Sequence, residues 1–136
     1  MVEPITVRDY TPDDYAMLQA WWSARGYPHI PSAVFPPDCY IAELKGSPVA
    51  FQVFYLSLGI GVAFTDFLVS RPRTGPKIIG AAFDAITMEF EKRHGGLNAY
   101  TMIRGFVYDP LARHIGRAGY MVGTRQGYEA LKEVGL

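Results

Sequence analysis

The 136 residues carry 13 basic and 13 acidic side chains, and this neutral balance argues against nucleic-acid binding by bulk electrostatics. Apolar residues make up 49% of the chain, which predicts one globular domain over residues 1–136 and excludes a disordered protein. No stretch approaches the roughly 18 apolar residues of a membrane span, and the first ten residues lack the pattern of a signal peptide. The single cysteine, Cys39, excludes an internal disulfide and predicts a reducing, cytoplasmic location.

The first half of the chain predicts a strand, a helix and a hairpin. Thr11 and Pro12 have the N-cap and first-turn chemistry that opens a helix, and Gly26 supplies its end. Lys45-Gly46 is a tight turn between two β-rich runs. The predicted elements are a strand over 5–8, a helix between Thr11 and Gly26, an irregular segment with four prolines over 27–37, and antiparallel strands over 39–44 and 48–57.

The second half predicts further strands around two helices. Residues 62–70 form an apolar, β-rich run, and helical spacing then places Ile79, Phe83 and Phe90 on one face. Asp109 and Pro110 have the cap and first-turn chemistry of a second, short helix. The predicted elements are a strand over 62–70, a helix over 76–94, a strand over 99–107, a helix from Asp109 to Gly119, and short strands over 120–124 and 128–131, with a helix as the alternative for the last segment.

A basic turn lies between the run 62–70 and the helix that follows it. A helix N-terminus offers unpaired N–H groups and a partial positive charge, and Arg71, Arg73 and Lys77 add full charges. This arrangement is typical of a phosphate site. The turn also has an ordinary explanation, because strand-to-helix connections use Gly, Pro and polar residues in any protein.

The order β-α-loop-β-β-β-α-β-α-β-β resembles that of the GNAT acyltransferases, the acyl-CoA-dependent N-acetyltransferases. The segments that carry the resemblance are 5–14, 40–50 and 97–120, the last of which ends with Gly119-Tyr120. More loosely, the segments Trp21-Trp22 and Phe35-Pro36-Pro37 resemble segments of small phage-encoded members of this family. The resemblance implies an α+β fold, a mixed and mostly antiparallel sheet flanked by helices. It also implies acetyl-CoA as co-substrate, a small-molecule or protein amine as acceptor, and allows a homodimer.

The resemblance also implies where the cofactor lies. The strand 62–70 is expected to part from the strand 99–107, so that main-chain groups of the first bind the pantetheine arm and the following loop binds the pyrophosphate. The loop departs from the family pattern, because Pro76 and Ile78 occupy the places of two small residues and Pro76 lacks an N–H. The implied cofactor residues are Phe67, Leu68 and Val69 in the strand, and Arg73, Thr74, Gly75 and Lys77 in the loop.

Asp66 is the best candidate for the catalytic base. It is an isolated carboxylate in an apolar strand that should be central, with Phe64 and Leu68 on its face and Phe67 opposite. A structural alternative is a carboxylate held by backbone amides or by Arg104. The family's usual acid is a Tyr four residues before Gly119, where this chain has Ile115.

Other residues have roles that the sequence leaves open. Tyr108 and Tyr120 are candidate catalytic acids near the place of Ile115, although a packed Tyr is an alternative for each. Trp22, His29 and Tyr40 are predicted to bind substrate, with plain packing or surface exposure as the alternatives. No His, Cys or carboxylate spacing supports a metal site.

Two further functions remain open beside an acetyltransferase. A catalytically silent GNAT-fold binding or regulatory module is favoured by Ile115 and by the altered phosphate loop. A different α+β domain without a cofactor is the other alternative.

Overall fold

Seven strands form one mixed sheet in the computed structural model, which describes residues 4–57, 61–94, 102–107, 121–122 and 128–133. Their order across the sheet is β1-β2-β3-β4-β5-β7-β6; β4 and β5 are parallel, and all other neighbours are antiparallel. This confirms the predicted fold class. The strands are β1 (Ile5–Asp9), β2 (Asp38–Leu44), β3 (Ser47–Leu56), β4 (Val62–Ser70), β5 (Met102–Val107), β6 (Met121–Val122) and β7 (Tyr128–Glu133).

Two helices lie within the described residues, α1 (Tyr15–Ala24) and α2 (Pro76–His94). A 3-10 turn, Pro12–Asp14, precedes α1, and Gly26 follows it with a φ of 69°, a left-handed conformation that glycine adopts without strain. The predicted bounds of α2 are confirmed. Its apolar positions are buried as the 3.6-residue period requires: Ile79, Ala82, Phe83, Ile86 and Phe90.

The helices cover opposite faces of the sheet, which we call the α1 face and the α2 face. On the α2 face, Tyr40 and Phe54 pack with the apolar stripe of α2, and the Phe54 and Phe90 rings stack 4.1 Å apart. On the α1 face, Ile41 and Phe51 pack with α1. Because neighbouring residues of a strand alternate between faces, each central strand contributes to both cores.

An ion-pair network joins the start of the chain to the sheet. The Arg8 guanidinium donates to both oxygens of Asp14, at 2.8 and 2.9 Å, and to Glu43 at 3.1 Å. Asp14 also accepts the Thr11 N–H at 2.9 Å. Glu43 is therefore part of a structural clamp.

The helix predicted from Asp109 to Gly119, with Ile115 and the flanking Tyr108 and Tyr120, lies outside the described residues. Within the described ranges, no helix has the length and hydrophobicity needed to cross a membrane.

Candidate active site

Strands β4 and β5 run together for only part of their length. Their pairing begins at Val62 with Met102 and ends at Thr65 with Gly105. Beyond that point β4 continues to Ser70 without a β5 partner in the described register, while β5 continues beside β7. The predicted parting of these two strands is confirmed. Among the described residues no strand pairs with this edge of β4, so its main-chain groups are available for other hydrogen bonds.

A β-bulge lies in β4 at the start of this opening. Val53 pairs with Asp66 and Phe51 with Val69, so Gln52 alone faces the two residues Phe67 and Leu68. Phe67 has a φ of 54°, in the left-handed region that a bulky residue rarely occupies. The bulge reverses the predicted alternation after Asp66. Leu68 was expected on the face of Asp66 but packs on the α2 face, and Phe67 was expected opposite but packs on the α1 face.

Asp66 lies on the α1 face at this bulge, beside its cross-strand partner Val53. Its side chain is open to solvent, and its Oδ1 accepts the N–H of Phe67 at 2.8 Å. The surrounding protein atoms desolvate the carboxylate and raise its pKa, and the Phe67 hydrogen bond opposes this only in part. No ion pair to Asp66 occurs among the residues that the structure describes. A reachable carboxylate that holds a proton more readily than usual is suited to general-base work.

The loop after β4 is held in a defined shape by main-chain hydrogen bonds. The Arg71 N–H donates to Val49 at 2.8 Å, and the Arg25 guanidinium donates to the Ser70 carbonyl at 3.0 Å. Arg73 has a φ of 65°, so the chain turns sharply before α2 begins at Pro76. The side chain of Arg73 is thereby presented to solvent.

The same loop has the donors that an anion requires. Arg73 and Lys77 are exposed and have no ion-pair partner within the described part of the chain. The first helical N–H groups after Pro76, those of Lys77 and Ile78, likewise have no main-chain acceptor among the described residues. The two exposed cations and these N–H groups fit a phosphate despite the missing N–H of Pro76. The Thr74 Oγ1 is buried and has no hydrogen-bond partner among the described residues, so it reaches a phosphate only if its side chain rotates.

Of the three predicted substrate residues, Trp22 and His29 lie together, with their ring centroids 6.0 Å apart, and Tyr40 lies on the other face of the sheet. Trp22 is 3% exposed and packs against Tyr15 on the α1 face, while the exposed His29 shares a 2.7 Å hydrogen bond with Ser23. Tyr40 is fully buried on the α2 face, where its hydroxyl donates to Asp38 at 2.7 Å. The structure therefore separates Tyr40 from the other two, and we assign it to the core.

Several groups near the site were missed from the sequence. Gln52 is fully buried directly opposite the bulge, and Tyr55 and Phe35 are half-buried near Phe67. Gln52 carried a usable signal, because it is an isolated polar residue in an apolar strand, just as Asp66 is. Phe35 carried none, since the irregular proline-rich segment has no periodicity that assigns its side chains to a face.

Two further observations concern metal binding and the reactivity of Cys39. The described residues contain no group of three or more His, Cys, Asp or Glu side chains that could hold a metal ion. Cys39 is buried, and burial raises the pKa of its thiol to about 12, which keeps it in the unreactive protonated form.

Solved structures of known acetyltransferases share this architecture. N-acetylglutamate synthase from Neisseria gonorrhoeae, solved with coenzyme A and N-acetyl-glutamate, has a TM-score of 0.72 at 10% identity; the match covers 100% of this chain and 36% of that one. A GNAT-family acetyltransferase from Streptococcus pneumoniae has a TM-score of 0.66 at 10% identity, over 97% of this chain and 100% of that one. The aminoglycoside acetyltransferase AAC(6')-Ib, solved with ribostamycin and coenzyme A, has a TM-score of 0.65 at 19% identity, over 96% and 94%.

These likenesses show that the chain has the fold of the GNAT acyltransferases. It spans about a third of the length of the N-acetylglutamate synthase and nearly the whole length of the other two. The sequence itself matches no protein-family model and no curated protein.

Proposed function

We propose that this protein is an acyl-CoA-dependent N-acyltransferase that moves an acetyl group from acetyl-CoA to an amine. The observation that carries the proposal is the end of β4–β5 pairing at Thr65 and Gly105, with Asp66 on one side of the opening and a basic loop at its end. The structurally similar N-acetylglutamate synthase and AAC(6')-Ib were solved with coenzyme A, which supports acetyl-CoA as the acyl donor.

In this proposal the chain divides binding between a strand edge and a loop. The unpaired edge of β4, including Leu68 and Val69, hydrogen-bonds the amides of the pantetheine arm. The Phe67 N–H is already held by Asp66, so Phe67 contributes its carbonyl and its place in the bulge. The pyrophosphate is held by loop residues and the first N–H groups of α2. These loop residues are Arg73, Thr74, Gly75 and Lys77.

Acetyl-CoA supplies an activated thioester carbonyl. Asp66 accepts one proton from the substrate ammonium, which frees the nitrogen lone pair to attack the thioester carbonyl. The new N–C bond then forms, the C–S bond breaks, and the second proton that the nitrogen loses passes to solvent. The leaving thiolate then takes a proton, for which Tyr108 and Tyr120 stay the predicted donors. Because holding the two reactants together accounts for much of the rate, a weak or absent dedicated acid is compatible with turnover.

Calorimetric titration with acetyl-CoA tests the proposal. We expect the wild type to bind, and Arg73→Ala and Lys77→Ala each to weaken binding about tenfold, because each removes a charge-assisted contact to phosphate. Lys92→Ala is the matched control, since Lys92 is an exposed cation in the last turn of α2 and should leave the dissociation constant unchanged. Failure of the wild type to bind acetyl-CoA would contradict the proposal.

A second candidate is a catalytically silent GNAT-fold module that binds coenzyme A without turning it over. Ile115 at the usual place of the acid and Pro76 in the phosphate loop favour it. Binding of acetyl-CoA without turnover of any amine, together with no effect of Asp66→Asn, would select this alternative. A cytoplasmic location, a homodimer and a phage origin stay predictions.

A further inference from the structure

Three half-buried aromatic rings, those of Phe35, Tyr55 and Phe67, lie on the same α1 face as Asp66. The Phe67 ring lies 6.3 Å from that of Tyr55 and 6.2 Å from that of Phe35, measured between centroids. The charge of Asp66 also raises the pKa of the Tyr55 hydroxyl, although desolvation is the larger cause. We call this group of Phe35, Tyr55, Asp66 and Phe67 the aromatic recess.

The proline-rich segment forms a fixed wall of the recess. Its Ile30 carbonyl accepts the Tyr15 hydroxyl at 2.8 Å, and its Val34 carbonyl accepts the Tyr55 hydroxyl at 2.9 Å. Phe35 packs edge-on against Tyr10 at 5.3 Å. Because these contacts come from α1, β3 and the end of β1, the wall is braced from several elements at once.

The chemistry of the recess limits the ligand that it can accept. Of its four described residues, Asp66 carries the carboxylate and the other three are aromatic, so this part of the recess matches one positive charge. Aromatic faces attract an ammonium group through cation–π interaction and pack against an apolar or aromatic body. A polycation such as an aminoglycoside would place its further ammonium groups against the rings with no carboxylate for them.

We infer that the acceptor is a primary amine with a single positive charge on an aromatic or bulky apolar body, bound with its ammonium at Asp66 and its body against Phe35, Tyr55 and Phe67. This inference rests on the proposed N-acyltransferase function and narrows it to a substrate class.

An assay of acetyl transfer from acetyl-CoA, in which the release of free thiol is measured, tests the substrate class directly. The acceptors are phenethylamine, spermidine, ribostamycin and a short peptide with a free alanine N-terminus. We expect kcat/KM for phenethylamine to exceed that for each of the others by about 100-fold, since a recess with one carboxylate leaves the additional charges or polar backbone groups unpaired.

Three variants test the lining. Phe35→Leu and Phe67→Leu should each lower kcat/KM for phenethylamine about tenfold, because each removes a ring face and leaves an apolar residue in its place. Tyr55→Phe keeps the ring but loses the bond to Val34, so it should raise KM while kcat stays within about twofold. Met88→Ala, an apolar truncation on the exposed side of α2, is the control and should change neither constant.

The outcomes separate the inference from the function beneath it. If ribostamycin, spermidine or the peptide is acetylated as well as phenethylamine, the inference is overturned and the enzyme stands. If both ring variants keep the wild-type kcat/KM, the recess is not the acceptor site. A loss of acetyl-CoA affinity in both ring variants by calorimetry would point to a structural effect and would also overturn it. A wild type that neither binds acetyl-CoA nor acetylates any amine would overturn inference and proposed function together.

Discussion

Among single residues, Asp66 performs two tasks that one substitution can separate. Its Oδ1 accepts the Phe67 N–H at the bulge, and in the proposed reaction the carboxylate takes a proton from the amine. Asp66→Asn keeps an oxygen for the bulge and removes the base. We expect kcat to fall by about 10²–10⁴, the usual range for losing a general base, with the acetyl-CoA dissociation constant unchanged. Calorimetry and steady-state kinetics on the same preparation check both halves.

The pH dependence of the rate tests whether the Asp66 carboxylate is the catalytic base. The reactive form is the carboxylate, and desolvation raises its pKa above the ordinary aspartate value. The rate should therefore rise with pH through that raised pKa, and protonation should suppress it below. Asp66→Asn should lack this acidic limb. An identical limb in the variant would show that another group controls the reaction.

Gln52 has a fixed orientation because its neighbour has only one proton to give. The Thr65 hydroxyl donates to the Val53 carbonyl at 2.9 Å, so it must accept from the Gln52 Nε2 at 2.7 Å. This turns the Gln52 Oε1 into the core, where it is buried and has no hydrogen-bond partner within the part of the chain that the structure describes. An unpaired buried acceptor costs about 1–3 kcal/mol, more than the net gain from one hydrogen bond, about 0.5–1.5 kcal/mol.

We therefore expect Gln52→Met to raise the free energy of unfolding by up to about 1 kcal/mol, because it removes the unpaired oxygen at the expense of one hydrogen bond. Thr65→Val should lower it by about 1–3 kcal/mol, since the Gln52 amide then has neither partner. The double variant should recover most of that loss. Urea denaturation of the four proteins measures the cycle, and an additive double variant would contradict the pairing.

Elements are joined by the Arg8 clamp, which ties β1 to the turn before α1 and to Glu43 on β2. The Arg8 hydrogen bonds hold the pKa of Asp14 below its usual range. A lowered pKa in the folded state means that the clamp stabilises above the unfolded value of about 3.9 and is lost as the pH falls through the folded value.

Asp14→Asn should therefore lower the free energy of unfolding by about 1–2 kcal/mol at pH 7, allowing for the partial exposure of Arg8. The difference from wild type should begin to shrink below pH about 4, where Asp14 of the unfolded chain binds a proton, and should vanish once the pH falls through the lowered pKa of the folded state. Denaturation at pH 7 and pH 3 compares the two proteins. Asp13→Asn, at an exposed neighbouring carboxylate, is the control. A difference that is the same at both pH values would show that charge is not the cause.

The elements differ in how well the sequence predicts them. The bounds of α2 follow from Pro76 at its first turn and from a regular apolar stripe, and both signals are local. The bulge in β4 has no such signal, because Phe67 is a bulky residue at a positive φ where a glycine would have announced the turn. The prediction that Tyr40 binds substrate failed for another reason. The alternation of a strand groups residues by face, but it does not say which face meets the substrate.

Across the whole molecule, the sheet separates two tasks. In the proposed reaction the basic loop and the start of α2 bind the acyl donor, whereas Asp66 and the aromatic recess bind the amine from the α1 face. Among the described residues no hydrogen bond joins the two regions directly. They are connected along β4, and α1 contacts both sides, through Tyr15 at the proline-rich segment and through the following Arg25 at Ser70. This separation predicts that binding of the donor and recognition of the amine can be changed independently.

Lys77→Ala and Phe35→Leu test this independence in one cycle. Lys77→Ala should weaken the binding of acetyl-CoA about tenfold without changing the KM of phenethylamine, since it removes only a phosphate contact. Phe35→Leu should raise that KM and leave the acetyl-CoA dissociation constant unaltered. Because groups without shared partners usually act additively within about 0.5 kcal/mol, the double variant should combine the two losses in kcat/KM at low donor concentration. A coupling well beyond that limit would mean that the proline-rich wall and the phosphate loop move together, and the sheet would then transmit donor binding to the acceptor recess.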